Sequence, residues 1–160
     1  MDNFISVMRP ASRSMYPEHL TAPMAKELTD FGFESLTTSD DVTEKLKNAQ
    51  GTTLLMVNSV CGCAAAMARP GVKMSLQNDK TPDQLVTVFA GVDGEAVQKA
   101  REYLLPYPPS SPAIALFKDG QLVHLLERRH IEGRSAAMID RKSTRLNSSH
   151  GGISRMPSSA

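Results

Sequence analysis

Two cysteines flanking a single glycine, Cys61-Gly62-Cys63, are the residues in this chain best suited to covalent chemistry. Ahead of them, Thr52 to Val57 together with Val60 form a nearly unbroken apolar, β-rich run bounded by Gly51, the pattern of a strand buried on both faces. Behind them, Ala64 to Arg69 have strong helix propensity, and Pro70 is expected to kink or shorten the helix they begin. The thiols therefore fall at a strand-to-helix junction, where unpaired backbone N–H groups and the helix dipole favour an anion. A thiolate is such an anion, and a cysteine that titrates near ~8.5 in a free peptide is brought to roughly 3.5–7.5 in such surroundings. Cys61, nearest the strand end, is the expected nucleophile, and Cys63, half a turn further on, the expected resolving thiol. A disulfide across one residue requires a bent backbone, which Gly62 would permit because it has no Cβ. The small ring should be strained and labile, which points to a redox switch rather than a crosslink.

Other readings of the pair compete with this one. Free cysteine is among the most often buried residue types, so two inert thiols in a non-catalytic interaction domain would look similar. A metal-binding protein would also use cysteines, but structural zinc takes four protein ligands, usually from two pairs. There is no second pair, and His19, His124, His130 and His150 are scattered. Composition narrows the field further. With 160 residues, 41% hydrophobic content and a net charge of +1, the chain suits one globular domain with an ordinary core. That balance makes no electrostatic case for nucleic acid or an anionic membrane. No apolar run reaches the ~18 residues of a membrane span, and the opening MDNFISVMRP lacks the pattern of a signal peptide. The cytoplasm is the expected compartment, where a cysteine pair is more often catalytic or redox-sensing than structural.

The remaining elements have to place the thiols. Residues 1–16 read as an irregular lead-in. Leu20, Met24, Leu28 and Phe31 form an amphipathic helical stripe, interrupted by Pro23 and closed by Gly32. A short strand at Phe33 to Leu36 follows, then a helix N-capped by Ser39 with Asp40 and Asp41 in its first turn. Past the thiols, a polar connector from Gln77 to Pro82 leads into a buried strand, Leu85 to Ala90. Glu95 to Leu105 is a surface helix with Val97, Arg101 and Leu104 on one line. Ala113 to Phe117 and Gln121 to Glu127 pair as a hairpin around Lys118, Asp119 and Gly120, and a final helix from Gly133 packs Met138 and Ile139. This is an α/β chain with a central mixed sheet flanked by helices and an antiparallel C-terminal hairpin. Ligand sites on such sheets collect at the carboxyl ends of strands, and Cys61 is at one. Ser111-Pro112, just ahead of a strand, is either a loop terminator or a cis peptide packed beside the thiols, where backbone groups could pair with a thiol substrate.

Four stretches carry a resemblance: MYPEHLTAPMAKELTDFGFESLTT (Met15 to Thr38), VNSVCGCAAAMARP (Val57 to Pro70), PPSSPAIALFKDGQLVH (Pro108 to His124) and ERRHIEGRSA (Glu127 to Ala136). The chain resembles the bacilliredoxins, thioredoxin-fold proteins with a Cys-Gly-Cys motif. The resemblance implies removal of bacillithiol from S-bacillithiolated client proteins, with Cys61 taking the bacillithiol and Cys63 or a second thiol resolving it. It also implies some disulfide isomerase activity, with bacillithiol as co-substrate and no bound cofactor. Binding roles are expected for Gly62, Ser111 and Pro112, and for Arg69, with Arg128 and Arg129 also placed to meet bacillithiol's carboxylates. Members of the family close with an amphipathic helix, whereas from Asp140 this chain loses apolar periodicity and resembles translated adapter sequence. The domain is therefore expected to span 1–139 with its closing helix truncated, and 140–160 to be a non-native, disordered tail.

Overall fold

The side chains of the central strand alternate between two hydrophobic cores, and everything else is arranged on one side or the other of it. A computed structural model of the chain describes residues 14–77 and 81–131. In chain order its elements are α1 (Glu18–Thr29), β1 (Glu34–Ser35), α2 (Ser39–Val42, continued as a π-helical turn over Thr43–Lys47) and β2 (Thr52–Asn58). A second π-helical turn (Ala64–Ala68) runs into α3 (Arg69–Ser75). Then come β3 (Gln84–Phe89), α4 (Gly94–Tyr103), β4 (Ala113–Lys118), β5 (Gln121–Leu126) and α5 (Arg128–Ile131). The strands form one mixed sheet in the order β1-β3-β2-β4-β5. β3 runs parallel to β1 and β2, β4 runs antiparallel to β2, and β5 closes the hairpin.

Because strand side chains alternate, β2 sends Leu54 and Met56 to one face and Leu55 and Val57 to the other. The first face, with Ile114 and Leu116 of β4, is covered by Leu28 of α1 and Val72 of α3. The second, with Val86 and Val88 of β3, is covered by Val42 and Leu46 of the α2 segment and by Val97 and Ala100 of α4. The near-continuous apolar run thus makes a strand buried on both sides. At the hairpin, Asp119 (φ 49°) and Gly120 (φ 81°) both adopt the left-handed conformation of a type I′ turn. Asp119 also accepts a hydrogen bond from Gly51 N at 2.7 Å, tying this turn to the entry of β2.

Several expectations shift in detail. The helix cap is Thr38, not Ser39: Thr38 Oγ1 accepts from Asp41 N at 3.1 Å. Ser39 instead donates its hydroxyl to Glu95 Oε1 at 2.8 Å, joining α2 to the first turn of α4. α1 starts at Glu18 and runs through Pro23. Its buried line is Thr21 and Leu28; Leu20, one residue off that line and so turned about 100° from it, is exposed, and Phe31 lies past the helix end at Thr29 and is exposed as well. Pro70 does not end its helix, which continues to Ser75. A proline lacks an N–H and its ring crowds the carbonyl four residues back, here Ala66, and the wider π turn over Ala64–Ala68 lies where that carbonyl needs room. The lead-in through residue 13, the helix from Gly133, the boundary at 139 and the tail of 140–160 lie outside the described residues.

Leu54 is fully buried. Leu54→Ala should destabilise the fold by about 2–5 kcal/mol, read as a lower urea midpoint at unchanged slope; a loss below about 1 kcal/mol would mean that β2 does not anchor this core.

Candidate active site

Where β2 ends, a buried polar network takes over. Asn58 accepts hydrogen bonds at Oδ1 from Ser59 N (2.9 Å) and from Arg69 Nη1 (2.9 Å), and its Nδ2 donates to Met24 O (3.3 Å). Arg69 Nη1 also donates to Ser59 O at 3.0 Å, and Arg69 Nε to Glu27 Oε2 at 2.9 Å. A guanidinium that is 1% exposed is tolerable only with its donors matched in this way. The network fixes the Asn58-Ser59 corner, and Ser59 is the residue that addresses the thiol. Its Oγ accepts from Cys61 N (3.2 Å) and donates to Cys61 Sγ (3.1 Å).

Cys61 occupies the N-cap position, since its carbonyl takes the first helical hydrogen bonds, from Ala64 N (3.1 Å) and Ala65 N (3.2 Å). Both thiols are free, Cys61 half-buried and Cys63 buried, and their sulfurs are 2.7 Å apart. Their environments drive them apart in acidity. Burial pushes Cys61 up, but hydrogen bonds from Cys63, Ser59 and the backbone N–H groups of Ala64 and Cys63 outweigh it, so its pKa falls below the ordinary thiol value. Cys63 is raised by burial, by donating its proton to Cys61 and by the nearby thiolate charge, with Arg128 offsetting only part of this. Of the two, Cys61 is the thiol that ionises first, and Cys63 is the one that keeps its proton and donates it toward the Cys61 sulfur.

Cys61 opens onto a cleft of about 320 Å³ lined by Met15, Tyr16, Ser59, Val60, Ala90, Gly91, Arg101, Ser111 and Arg128. Gly91 has φ +84°, and a Cβ there would come within 2.6 Å of the Tyr16 ring, so this wall requires glycine. Met15 N donates to Gly91 O at 2.7 Å and holds the approach segment against it.

The sequence-derived candidates divide clearly. Cys61, Cys63 and Ser111 come together. The β2–β4 register pairs Val57 with Ala113, which carries the preceding Ser111-Pro112 to the level of Ser59. That peptide bond is cis and Pro112 is buried. Arg69 does not line the cleft and is not a surface residue: it is the buried strut behind Asn58 and Ser59, and the expected binding role is replaced by a positioning one. Gly62 has no positive φ, and an added Cβ would meet nothing within 4 Å, so the free-thiol backbone does not need glycine for its bend. Of the paired arginines, Arg128 lines the cleft, whereas Arg129 points to solvent beside Glu127. Ser59 and Arg101 were missed as site residues. Arg101 had left a trace, a cation on the otherwise apolar line of Val97 and Leu104. Among the described residues no group of three or more His, Cys, Asp or Glu is placed to hold a metal.

The family described as disulphide isomerase matches residues 16–150. A bacilliredoxin of Cytophaga hutchinsonii is 65% identical over 125 residues, covering 78% of this chain and 92% of that protein. A bacilliredoxin of Halalkalibacterium halodurans is 51% identical over 127 residues, covering 79% and 88%. Among solved structures, the thioredoxin-like domain of Arabidopsis NCP (nuclear control of PEP activity) superposes with a TM-score of 0.52 at 16% identity, covering 71% of this chain and 75% of that one. Fasciola hepatica thioredoxin gives 0.50, also at 16%, covering 72% and 99%. The fold is thioredoxin-like.

Ser59→Ala removes one donor to the Cys61 sulfur, so the pH midpoint of iodoacetamide alkylation at Cys61 should move upward. An unmoved midpoint would show that the hydroxyl does not hold the thiolate. Arg69→Met leaves Asn58 Oδ1 and Ser59 O short of a donor and should cost about 3 kcal/mol in urea unfolding; a cost under about 1 kcal/mol would remove Arg69 from its structural role.

Proposed function

Because the chain belongs to the bacilliredoxin family, and is thereby a thiol-disulfide redox protein, we propose that it removes bacillithiol from S-bacillithiolated proteins through Cys61 and Cys63. The observation that carries this reading is the asymmetry of the thiol pair: a lowered, half-exposed Cys61 in contact with a raised, buried Cys63. A thiolate is the attacking form, and a neighbouring protonated thiol is a second nucleophile held in reserve.

The steps balance as two successive exchanges. Cys61 thiolate attacks the bacillithiol sulfur of the mixed disulfide. A Cys61–bacillithiol disulfide forms, the client–bacillithiol bond breaks, and the client sulfur leaves as a thiolate that takes a proton from solvent. Cys63 then loses its proton to solvent and attacks Cys61, releasing bacillithiol as its thiolate and leaving a Cys61–Cys63 disulfide. Alternatively, a second bacillithiol attacks the adduct and restores Cys61 directly, with bacillithiol disulfide as product. The first route oxidises the protein by two electrons, which a thiol or dithiol reductant must return. The same two thiols can break and re-form a client's own disulfides, which supports a disulfide isomerase activity. Bacillithiol is then a co-substrate, and no resident cofactor enters either route. Such chemistry suits the reducing cytoplasm; among the described residues no helix is long and apolar enough to cross a membrane.

Incubation with a bacillithiolated protein, followed by intact mass analysis, should move the bacillithiol to Cys61. Cys61→Ser should abolish the transfer, and Cys63→Ser should accumulate the Cys61 adduct. The rate should rise with pH and level off below the pH at which a free peptide thiol does, because the lowered pKa fills the thiolate state earlier. Transfer that persists in Cys61→Ser would overturn the assignment.

A further inference from the structure

The cleft beside Cys61 holds two guanidinium groups and, among its lining residues, no carboxylate. Arg101 approaches from α4, which faces the sheet through Val97 and Ala100, and Arg128 from the start of α5, where its backbone N–H donates to Ser110 Oγ at 2.6 Å. Arg101 Nε is buried and has no hydrogen-bond partner among the described residues. A buried N–H donor without an acceptor is costly, and here it belongs to a side chain that lines the cleft. Planar guanidinium groups match carboxylates in a two-pronged fashion that lysines cannot. The remaining lining includes the hydroxyls of Ser59 and Ser111 and the flat ring of Tyr16, and the volume of about 320 Å³ is that of a small-ligand site rather than a groove for a folded protein.

We infer that the Arg101–Arg128 cleft binds the carboxylates of the low-molecular-weight thiol, and so decides which sulfur of the mixed disulfide Cys61 attacks. This rests on the proposed function. In disulfide exchange the attacking, central and leaving sulfurs lie nearly in line, so the group attached to the central sulfur extends sideways from that line. A thiol whose carboxylates are held in the cleft beside Cys61 presents its own sulfur as the central one. Cys61 then bonds to that sulfur while the client sulfur leaves. Without the anchor, Cys61 could equally attack the client sulfur, bond to the client and expel the small thiol.

The test uses the full chain carrying Cys63→Ser, so that adducts on Cys61 are retained. The substrates are one cysteine peptide disulfide-linked either to bacillithiol or to 2-mercaptoethanol, which has no carboxylate. With both arginines present, the Cys61–bacillithiol adduct should predominate and the bacillithiol substrate should react faster. In Arg101→Gln/Arg128→Gln, that preference in rate should fall about tenfold, the weight of a lost charge-assisted hydrogen bond. The trapped species should shift toward the peptide adduct. The ratio between substrates cancels any change in Cys61 reactivity. Should the double variant fail to fold, Arg128→Gln alone, at an exposed side chain, should show the same two shifts in smaller measure. If the arginine-intact protein reacts with both substrates and neither preference nor adduct changes on substitution, the arginine inference falls alone. If it reacts with neither, the proposed function falls and takes the inference with it.

Discussion

A buried guanidinium holds this site together. Arg69 ties α3 to two other pieces of chain: to Glu27 on α1, and to the end of the central strand through Asn58 Oδ1 and the carbonyl of Ser59. An ion so deeply placed cannot be left half-paired, so the corner it braces is nearly as fixed as the sheet itself. Ser59, oriented by that corner, touches both the backbone and the sulfur of Cys61. The reactive atom is thus positioned from behind by a largely buried network, while its other side stays open to the cleft.

The same arrangement explains why two cysteines so near each other differ. Each sulfur is partly removed from water, which alone would raise both. Cys61 receives four hydrogen bonds from neighbouring donors, whereas Cys63 gives its own proton to Cys61 and faces the charge it helps to stabilise. One proton is shared by a pair that cannot both ionise cheaply. The helix start contributes through the backbone N–H groups of Ala64 and Cys63, which favour the ionised sulfur of Cys61.

Much of this was legible in the residues. The apolar run of β2 announced a strand buried on both faces, Asp119-Gly120 announced the hairpin, and the thiols stood where strand gives way to helix. Arg69 misled, because a charged residue in a helix is ordinarily solvated; its burial depends on Glu27 and Asn58, 42 and 11 residues away, which no local pattern reveals. Arg101 shares an apolar line with Val97 and Leu104, which stay in the core, and only the folded sheet brings the arginine to the cleft beside Cys61. Gly62 was assigned a steric duty in the backbone that the geometry does not ask of it. Pro70 obeyed its local rule in a different way, with a widened turn ahead of it instead of a break.

That bare position at Gly62 has a consequence of its own. Gly62 is exposed beside the nucleophile, and apart from its chain neighbours nothing lies within 4 Å of where a side chain would begin. The shaped part of the site is the cleft beside Cys61, not this flank. A side chain placed on that flank would crowd the approach to the sulfur while leaving the backbone beneath it unstrained, because Gly62 does not use a positive φ.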